Sequence, residues 1–247
     1  MSKPMEPSTP MLSNKPIPTD ERLIIALDVA TAGEALELVE LLGAQGRFYK
    51  IGMELLTSGD FFPLIAQLDA LGKKVFVDLK FFDVPATVAS AVRGLSRHPA
   101  TFCTIHGNDA MLRAAAEVKG HLKLLAVTAL TSLDQHDLDD LGFQCDAKSL
   151  VLSRARASLA AGCDGVISSG LEVPDLRAEV DHRLLVVCPG IRPVANDDDQ
   201  KRVVDVRQAF ENGADYIVVG RPIRGAADPH AAAADIQRTI AEVFGRA

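Results

Sequence analysis

Tryptophan is absent from the 247 residues, and aromatic residues make up only 5% of them. The charge balance is acidic, -7 at neutral pH, and no basic run is interleaved with aromatics. The chain therefore lacks the electrostatic footprint of a nucleic-acid surface. No apolar run approaches the ~20 residues that a membrane-spanning helix needs. No G-x-G-x-x-G follows the first apolar run, which removes the main sequence sign of a dinucleotide-binding fold. Cysteine is sparse: Cys103, Cys145, Cys163 and Cys188 form no C-x-x-C and no close pairing with histidine. Cys103, Cys163 and Cys188 lie in or beside apolar runs and are read as free buried thiols, which suits a reducing cytoplasm. The opening residues 1–20 hold Pro4, Pro7, Pro10, Pro16 and Pro18. They have neither the apolar core of a signal peptide nor the arginines of a transit peptide. They are read as a disordered, Pro-rich leader ahead of one domain spanning residues 21–247.

What the chain does have is apolar content, 48% of its residues, in a repeating order. From Arg22 onward, short apolar runs alternate eight times with amphipathic or alanine-rich stretches. The strands are expected at Leu23–Leu27, Phe48–Ile51, Lys74–Leu79, Phe102–His106, Leu122–Thr128, Gly165–Ile167, Leu184–Val187 and Tyr216–Val219. The helices are expected near Ala32–Leu42, Asp60–Leu71, Pro85–Leu95, Asp109–Lys119, Ala147–Ala161, Val173–Val180, Asp205–Asn212 and Asp228–Phe244. Thr31 with Glu34 reads as a capping box, and Gly162 and Gly213 stand where a helix end favours a left-handed residue. Alternation at this spacing implies parallel β-α units with right-handed crossovers. No composition break divides the chain, so the expected fold is a single α/β domain, a closed (β/α)8 TIM barrel.

Active sites of such barrels lie at the C-terminal ends of the strands. The chain places polar residues at many of those ends: Asp28, Lys50, Asp78 and Lys80, His106, Thr128 and Thr131, Ser168 and Ser169, Arg192, Gly220 and Arg221. The most telling stretch is Asp78-Leu79-Lys80-Phe81-Phe82-Asp83-Val84-Pro85-Ala86-Thr87, in which an apolar strand ends in opposite charges. Side chains two apart on a strand share a face, so Asp78 and Lys80 point the same way. Gly220-Arg221 after the last strand matches the place where barrels bind phosphate through backbone N–H groups and a cation. The long polar loop Pro189 to Gln200 is a candidate lid. His98, His121, His136, His182 and His230 lack metal-ligand spacing and read as surface residues, and Asp197-Asp198-Asp199 as a solvated loop run.

Taken together, these segments resemble the orotidine 5′-phosphate decarboxylase family. The matching motifs are Leu27-Asp28, Lys50-Ile51-Gly52, the stretch from Asp78 to Thr87, Leu130-Thr131-Ser132, Pro189-Gly190-Ile191-Arg192-Pro193, Asp199-Gln200 and Val219-Gly220-Arg221-Pro222. They occur in family order from about Arg22 to the end of the chain. The resemblance implies decarboxylation of orotidine 5′-phosphate to UMP, the last step of de novo pyrimidine synthesis, by a cytoplasmic homodimer without cofactor or metal. It further implies that Lys50, Asp78 and Lys80 form a charge network completed by Asp83 from the neighbouring subunit, with Lys80 donating a proton to C6. Asp28 is expected at the ribose, and Val84 and Thr87 across the dimer interface. Thr131 is expected beside the pyrimidine, and Gln200, Arg221 and the Gly220 backbone at the phosphate. Arg192 is expected among the substrate-binding residues.

The chemistry calls for these residue types. Loss of carbon dioxide from C6 leaves a carbanion that the ring stabilises poorly, and an ammonium beside it offers both a positive field and a proton. Flanking carboxylates keep that ammonium charged despite desolvation. Each close opposite-charge contact is worth roughly 4 kcal/mol at an effective dielectric near 20, before desolvation is subtracted. Val84 and Ala86 depart from the isoleucine and asparagine frequent in the family, and neither change touches a charge. Two rival readings stand beside this one. Metal-dependent sugar-phosphate decarboxylases and synthases on a similar barrel also carry D-x-K-x-x-D but have a carboxylate where this chain has Lys50, and a lysine opposes magnesium. A non-catalytic phosphosugar- or nucleotide-binding barrel would keep Gly220-Arg221 without needing the lysine–aspartate network.

Overall fold

Each of the eight apolar runs forms a strand in the computed structural model, which describes residues 11–191 and 204–245. The strands are β1 (Leu23–Ala26), β2 (Phe48–Gly52), β3 (Lys74–Phe81), β4 (Phe102–Ile105), β5 (Lys123–Val127), β6 (Gly165–Ile167), β7 (Leu185–Cys188) and β8 (Tyr216–Val219). They pair in parallel in sequence order, and β1 pairs with both β2 and β8, closing the barrel. The helices around it are α1 (Ala32–Leu42), α2 (Met53–Leu56), α3 (Phe61–Ala70), α4 (Pro85–Leu95), α5 (Asp109–Ala116), α6 (Gln135–Asp140), α7 (Ala147–Ala160), α8 (Val173–Glu179), α9 (Val206–Glu211), α10 (Arg221–Arg224) and α11 (Pro229–Phe244). The (β/α)8 expectation holds, with the expected strand and helix ends met to within three residues. No helix among the described residues is long and apolar enough to cross a membrane.

The two-residue period of the strands separates two cores. Outward residues such as Ile25, Tyr49, Val75, Val77 and Cys103 pack with the helices in one cluster. Inward residues fill the barrel: Ile24 and Ala26, Phe48, Phe76, Phe102, Leu125 and Val127, Leu185 and Val187, Tyr216 and Val218. Phe48, Phe102 and Tyr216 meet with ring centroids 5.0–5.9 Å apart, and Phe76 joins at 6.0 Å from Phe102. Such tilted and edge-on aromatic pairs add about 0.5–1.5 kcal/mol each beyond their burial. Gly165 makes room for this packing, because a Cβ there would lie 2.5 Å from the Leu185 carbonyl oxygen. The next inward positions above this floor are Asp28, Lys50, Asp78 and Thr104, so the same period that builds the core delivers the site.

Local signals act mostly as expected. Thr31 Oγ1 accepts from the Glu34 N–H, but the Glu34 carboxylate reaches back to the Ala30 N–H rather than to that of Thr31. Gly162 and Gly213 adopt φ of 91° and 103° after α7 and α9. Helix α6 was not expected from the sequence; Asp134 and Asp137 cap it reciprocally.

The leader expectation needs correction over residues 11–20; residues 1–10 lie outside the described residues. Thr19–Glu21 forms a 3-10 turn, and Ile17 packs against the interior cluster. The Met11 N–H donates to the Glu211 carbonyl. Ser13 and Lys15 both reach Asp215, Lys15 Nζ at 3.0 Å. Asp215 is fully buried and also accepts from Arg177 Nη2 at 2.8 Å and the Val186 N–H at 2.8 Å. The physical reason is that a buried carboxylate beside one arginine has unused acceptor capacity, and the leader supplies donors for it. Asp215→Ala leaves Arg177 and Lys15 without their counter-ion and is expected to destabilise the fold by about 3–5 kcal/mol in urea unfolding. Lys15→Ala, removing a partly exposed partner, is expected to cost about 1 kcal/mol in the same measurement.

Candidate active site

The site is built on the C-terminal ends of β1 to β3. Lys50, on β2, faces inward next after Phe48 and sends its ammonium to Asp28 Oδ1 at 2.8 Å and to Asp78 Oδ2 at 3.7 Å. Lys80 Nζ reaches the other oxygen, Asp78 Oδ1, at 2.9 Å. Asp78 therefore bridges two ammonium groups, and the order Asp28–Lys50–Asp78–Lys80 alternates in sign. Gly52 lies under this row: a Cβ there would sit 3.5 Å from Lys50 Nζ and 3.9 Å from Asp28 Oδ1.

Strand alternation alone does not bring Asp78 and Lys80 together. Pairing of β3 with β4 runs through Val77↔Cys103 and resumes at Phe81↔Ile105. Four steps along β3 thus face two along β4, so Asp78, Leu79 and Lys80 fall outside the β3–β4 register, while Asp78 still pairs with Gly52 of β2. Lys80 takes φ of 50°, the one positive-φ non-glycine residue among the described residues. A left-handed backbone at a lysine costs about 1 kcal/mol or more and persists only where surrounding contacts fix it. This irregular segment brings the two side chains to salt-bridge distance.

Burial alone pushes the Asp78 carboxyl up, but Lys50, Lys80 and the hydroxyl of Thr104, which donates to Oδ1 at 2.9 Å, outweigh it and hold the group below its ordinary range. His106, beyond the end of β4, is lowered by burial first and then by Arg154 and Lys80, and its Nδ1 is buried without a hydrogen-bond partner among the described residues.

A cavity of about 210 Å³ opens above the row, lined by the polar residues Lys50, Asp78, Lys80, Thr131 and Ser132 and by the apolar Phe76, Val127, Ile167, Pro189 and Val218. A larger one, about 640 Å³, lies beside it between the ends of β4 and β5 and helices α5, α6 and α7. That cavity holds His106 and Arg154 but neither lysine of the row, so the charge geometry belongs to the smaller one.

The expected residues distribute as follows. Asp28, Lys50, Asp78, Lys80 and Thr131 converge on the smaller cavity or its rim. Gly220 caps the short helix α10 and lies against β1, where its missing Cβ would stand 3.6 Å from Asp28 Oδ2; Arg221 begins that helix and is exposed. Asp83, Val84 and Thr87 are exposed on the β3–α4 segment. Asp83 accepts from the Val84 N–H at 2.6 Å and forms no ion pair among the described residues. Arg192 and Gln200, with the expected lid from residue 192 onward, lie outside the described residues. Thr104 was missed by the sequence reading. Its signal was its inward register between Phe102 and His106, which a search for charged groups passes over.

A closed (β/α)8 barrel with an alternating lysine–aspartate row at its C-terminal mouth defines a class of barrel enzymes. The sequence matches the orotidine 5′-phosphate decarboxylase / HUMPS family over residues 21–236. An orotidine 5′-phosphate decarboxylase of Methylococcus capsulatus (strain ATCC 33009 / NCIMB 11132 / Bath) is 66% identical over 235 residues, covering 94% of this chain and 97% of that protein. One of Xanthomonas oryzae pv. oryzae (strain PXO99A) is 52% identical over 242 residues, 95% of this chain and 99% of that protein. A crystal structure of the Lactobacillus acidophilus orotidine 5′-phosphate decarboxylase superposes with a TM-score of 0.79 at 34% identity, covering 89% of this chain and 99% of that one. The chain belongs to the orotidine 5′-phosphate decarboxylase / HUMPS family.

Because the Asp78 carboxyl lies below its unfolded value of about 3.9, its ionic contacts stabilise the fold above that pH and lose their contribution as pH falls through the folded value. The stability difference between wild type and Asp78→Asn in urea is therefore expected to be constant above about pH 5 and to shrink below about pH 4. A difference that grows on acidification contradicts this assignment.

Proposed function

We propose that this protein decarboxylates orotidine 5′-phosphate to UMP, acting as a carbon–carbon lyase in de novo pyrimidine synthesis. The observation that carries the reading is the Asp28–Lys50–Asp78–Lys80 row at the mouth of the barrel, joined by the 66% identity to a relative bearing that activity's name. The pyrimidine enters the cavity between Lys80 and Thr131, with the ribose at Asp28. The phosphate is held by the Gly220 backbone, Arg221 and Gln200, with Arg192 among the substrate-binding residues. Binding energy from this remote group orders the site and aligns the reacting centre.

In the chemical step the bond from C6 to the carboxylate breaks, its electron pair stays on C6, and carbon dioxide leaves. Lys80 then gives its proton to C6 and recovers one from solvent. The ammonium stabilises the developing charge before it transfers the proton, and Asp78, 2.9 Å away, fixes where that ammonium lies. Lys50 and Lys80 together balance Asp28 and Asp78, so two carboxylates sit near an anionic substrate without unpaired negative charge.

The proposed reaction uses neither cofactor nor metal. Lys50 favours this over the metal-dependent chemistry of barrels that share the D-x-K-x-x-D pattern, because its ammonium lies within 2.8 Å of one carboxylate and 3.7 Å of the other. A divalent cation there would meet a positive charge where it needs an oxygen ligand.

The proposed assembly is a homodimer with shared active sites, in which Asp83 completes the neighbour's network and Val84 and Thr87 cross the interface. Asp83 is flanked by Phe82 and Val84, which are 66% and 60% exposed. Apolar side chains beside an unpaired carboxylate on one short segment suit coverage by a second copy. The proposed location is the cytoplasm, supported by four cysteines that remain free thiols, three of them buried.

Purified protein is expected to convert orotidine 5′-phosphate to UMP, and Lys80→Ala to abolish turnover without loss of fold by circular dichroism. Near-normal turnover by Lys80→Ala removes it as proton donor. Mixed Lys80→Ala and Asp83→Asn chains are expected to recover part of the activity that each lacks alone. No recovery after confirmed subunit exchange contradicts the shared site.

A further inference from the structure

The irregular segment of β3 raises an accounting question that the charged residues do not answer. Between Val77↔Cys103 and Phe81↔Ile105 the β-ladder is interrupted, and a backbone N–H taken out of a ladder must find another acceptor or remain unsatisfied. The Lys80 N–H finds a side chain: it donates to Thr104 Oγ1 at 2.9 Å. The hydroxyl proton of Thr104 in turn goes to Asp78 Oδ1 at 2.9 Å, the same oxygen that Lys80 Nζ reaches. A hydroxyl offers one donor and two acceptor lone pairs, and here a single one serves the lysine's backbone and the aspartate's carboxylate together. Thr104 is fully buried and does not line the 210 Å³ cavity.

We propose that Thr104 is a positioning residue for the decarboxylation: its hydroxyl clamps the left-handed backbone of Lys80 to the carboxylate of Asp78, fixing the ammonium relative to the substrate without touching it. The inference rests on the proposed activity. Lys80 is the only non-glycine residue among the described residues with positive φ, and the bond to Thr104 is the contact that holds its N–H. Without the hydroxyl, Lys80 is free to relax toward a regular strand conformation. Its ammonium then swings away from Asp78, and a displacement of about 1 Å at a reacting group costs on the order of a hundredfold in rate.

Thr104 supplies the neutral hydroxyl that bonds the Asp78 carboxylate. Asp78 faces Lys50 from β2, Lys80 from its own strand and Thr104 from β4, with Asp28 beyond Lys50. Beside Thr104 on β4 is the buried thiol of Cys103, which donates to the Thr104 carbonyl, and beyond the strand end His106 lies near Lys80.

The test compares wild type with Thr104→Val, Thr104→Ala and Thr104→Ser in steady-state turnover of orotidine 5′-phosphate. Valine keeps the shape and removes the hydroxyl; alanine and serine differ from each other by the hydroxyl alone. The expected result is a fall in kcat of about ten- to hundredfold for valine and alanine, with KM within about threefold of wild type and serine within about fivefold. The acid limb of the kcat profile is expected to move to higher pH in the valine variant, because Asp78 loses a donor to its ionised form. A role in folding alone would lower the active fraction without moving that limb. Valine turning over within about threefold of wild type with an unmoved acid limb overturns the inference, as does serine falling as far as alanine. If the valine variant fails to fold, the serine–alanine pair decides. A wild type inactive on orotidine 5′-phosphate overturns the proposed activity and this inference with it, whereas an active wild type with insensitive variants overturns the inference alone.

Discussion

Asp78 is held ionised between two ammonium groups directly above an apolar and aromatic barrel floor, and the rest of the site follows from how that was made possible. A regular β3 would continue the inward series from Phe76 through Asp78 toward Lys80 at strand spacing. The break in pairing after Val77 instead folds the segment over, so that both oxygens of one carboxylate are used by different lysines. Buried charge is tolerable only when paired and hydrogen-bonded. Here the pairing is supplied by Lys50 and Lys80, and the remaining bond by Thr104. The left-handed backbone at Lys80 is the local cost, offset by contacts that exist only in this arrangement.

Beneath this row the floor of Phe48, Phe76, Phe102 and Tyr216 is rigid in the sense that matters, since close-packed aromatic rings leave the charged layer no room to sink. At the lower end of the barrel Ile17 packs against the interior cluster, and its segment is tied to the buried Asp215 through Lys15 and to β8 through the Arg22 carbonyl, which accepts from the Ile217 N–H. The molecule therefore carries buried ion pairs at both ends for opposite reasons. At the lower end Asp215 is saturated by Lys15, Arg177 and backbone donors and is closed off from solvent. At the upper end the row borders a cavity in which a substrate can meet Lys80.

Much of this was legible in the sequence because two periodicities are strong. The alternation of apolar runs with amphipathic ones gave the barrel, and the inward period placed Asp28, Lys50 and Asp78 on one mouth. Other features were not legible, for physical reasons that differ. The leader reads as disordered because proline content and few apolar residues speak only of local preference; Ile17 and Lys15 find partners that lie far away in sequence. Helix α6 escaped notice because Asp134 and Asp137 look like a polar turn until their side chains cap the backbone reciprocally. Thr104 escaped because its role depends on a register shift in the neighbouring strand, and a neutral side chain inside an apolar run carries no sign of that.

The family resemblance drawn from seven short motifs agrees with the match over residues 21–236, while the geometry adds how the row is held. The central proposal is that a solvent-exchangeable proton replaces carbon dioxide at C6 with no metal in the reaction. It is tested most directly by turnover of orotidine 5′-phosphate in deuterium oxide with excess chelator, following the label in UMP by mass spectrometry and NMR. The expected result is undiminished turnover, with one deuterium at C6 of every product molecule. Turnover that stops in chelator and returns only with added magnesium would contradict it.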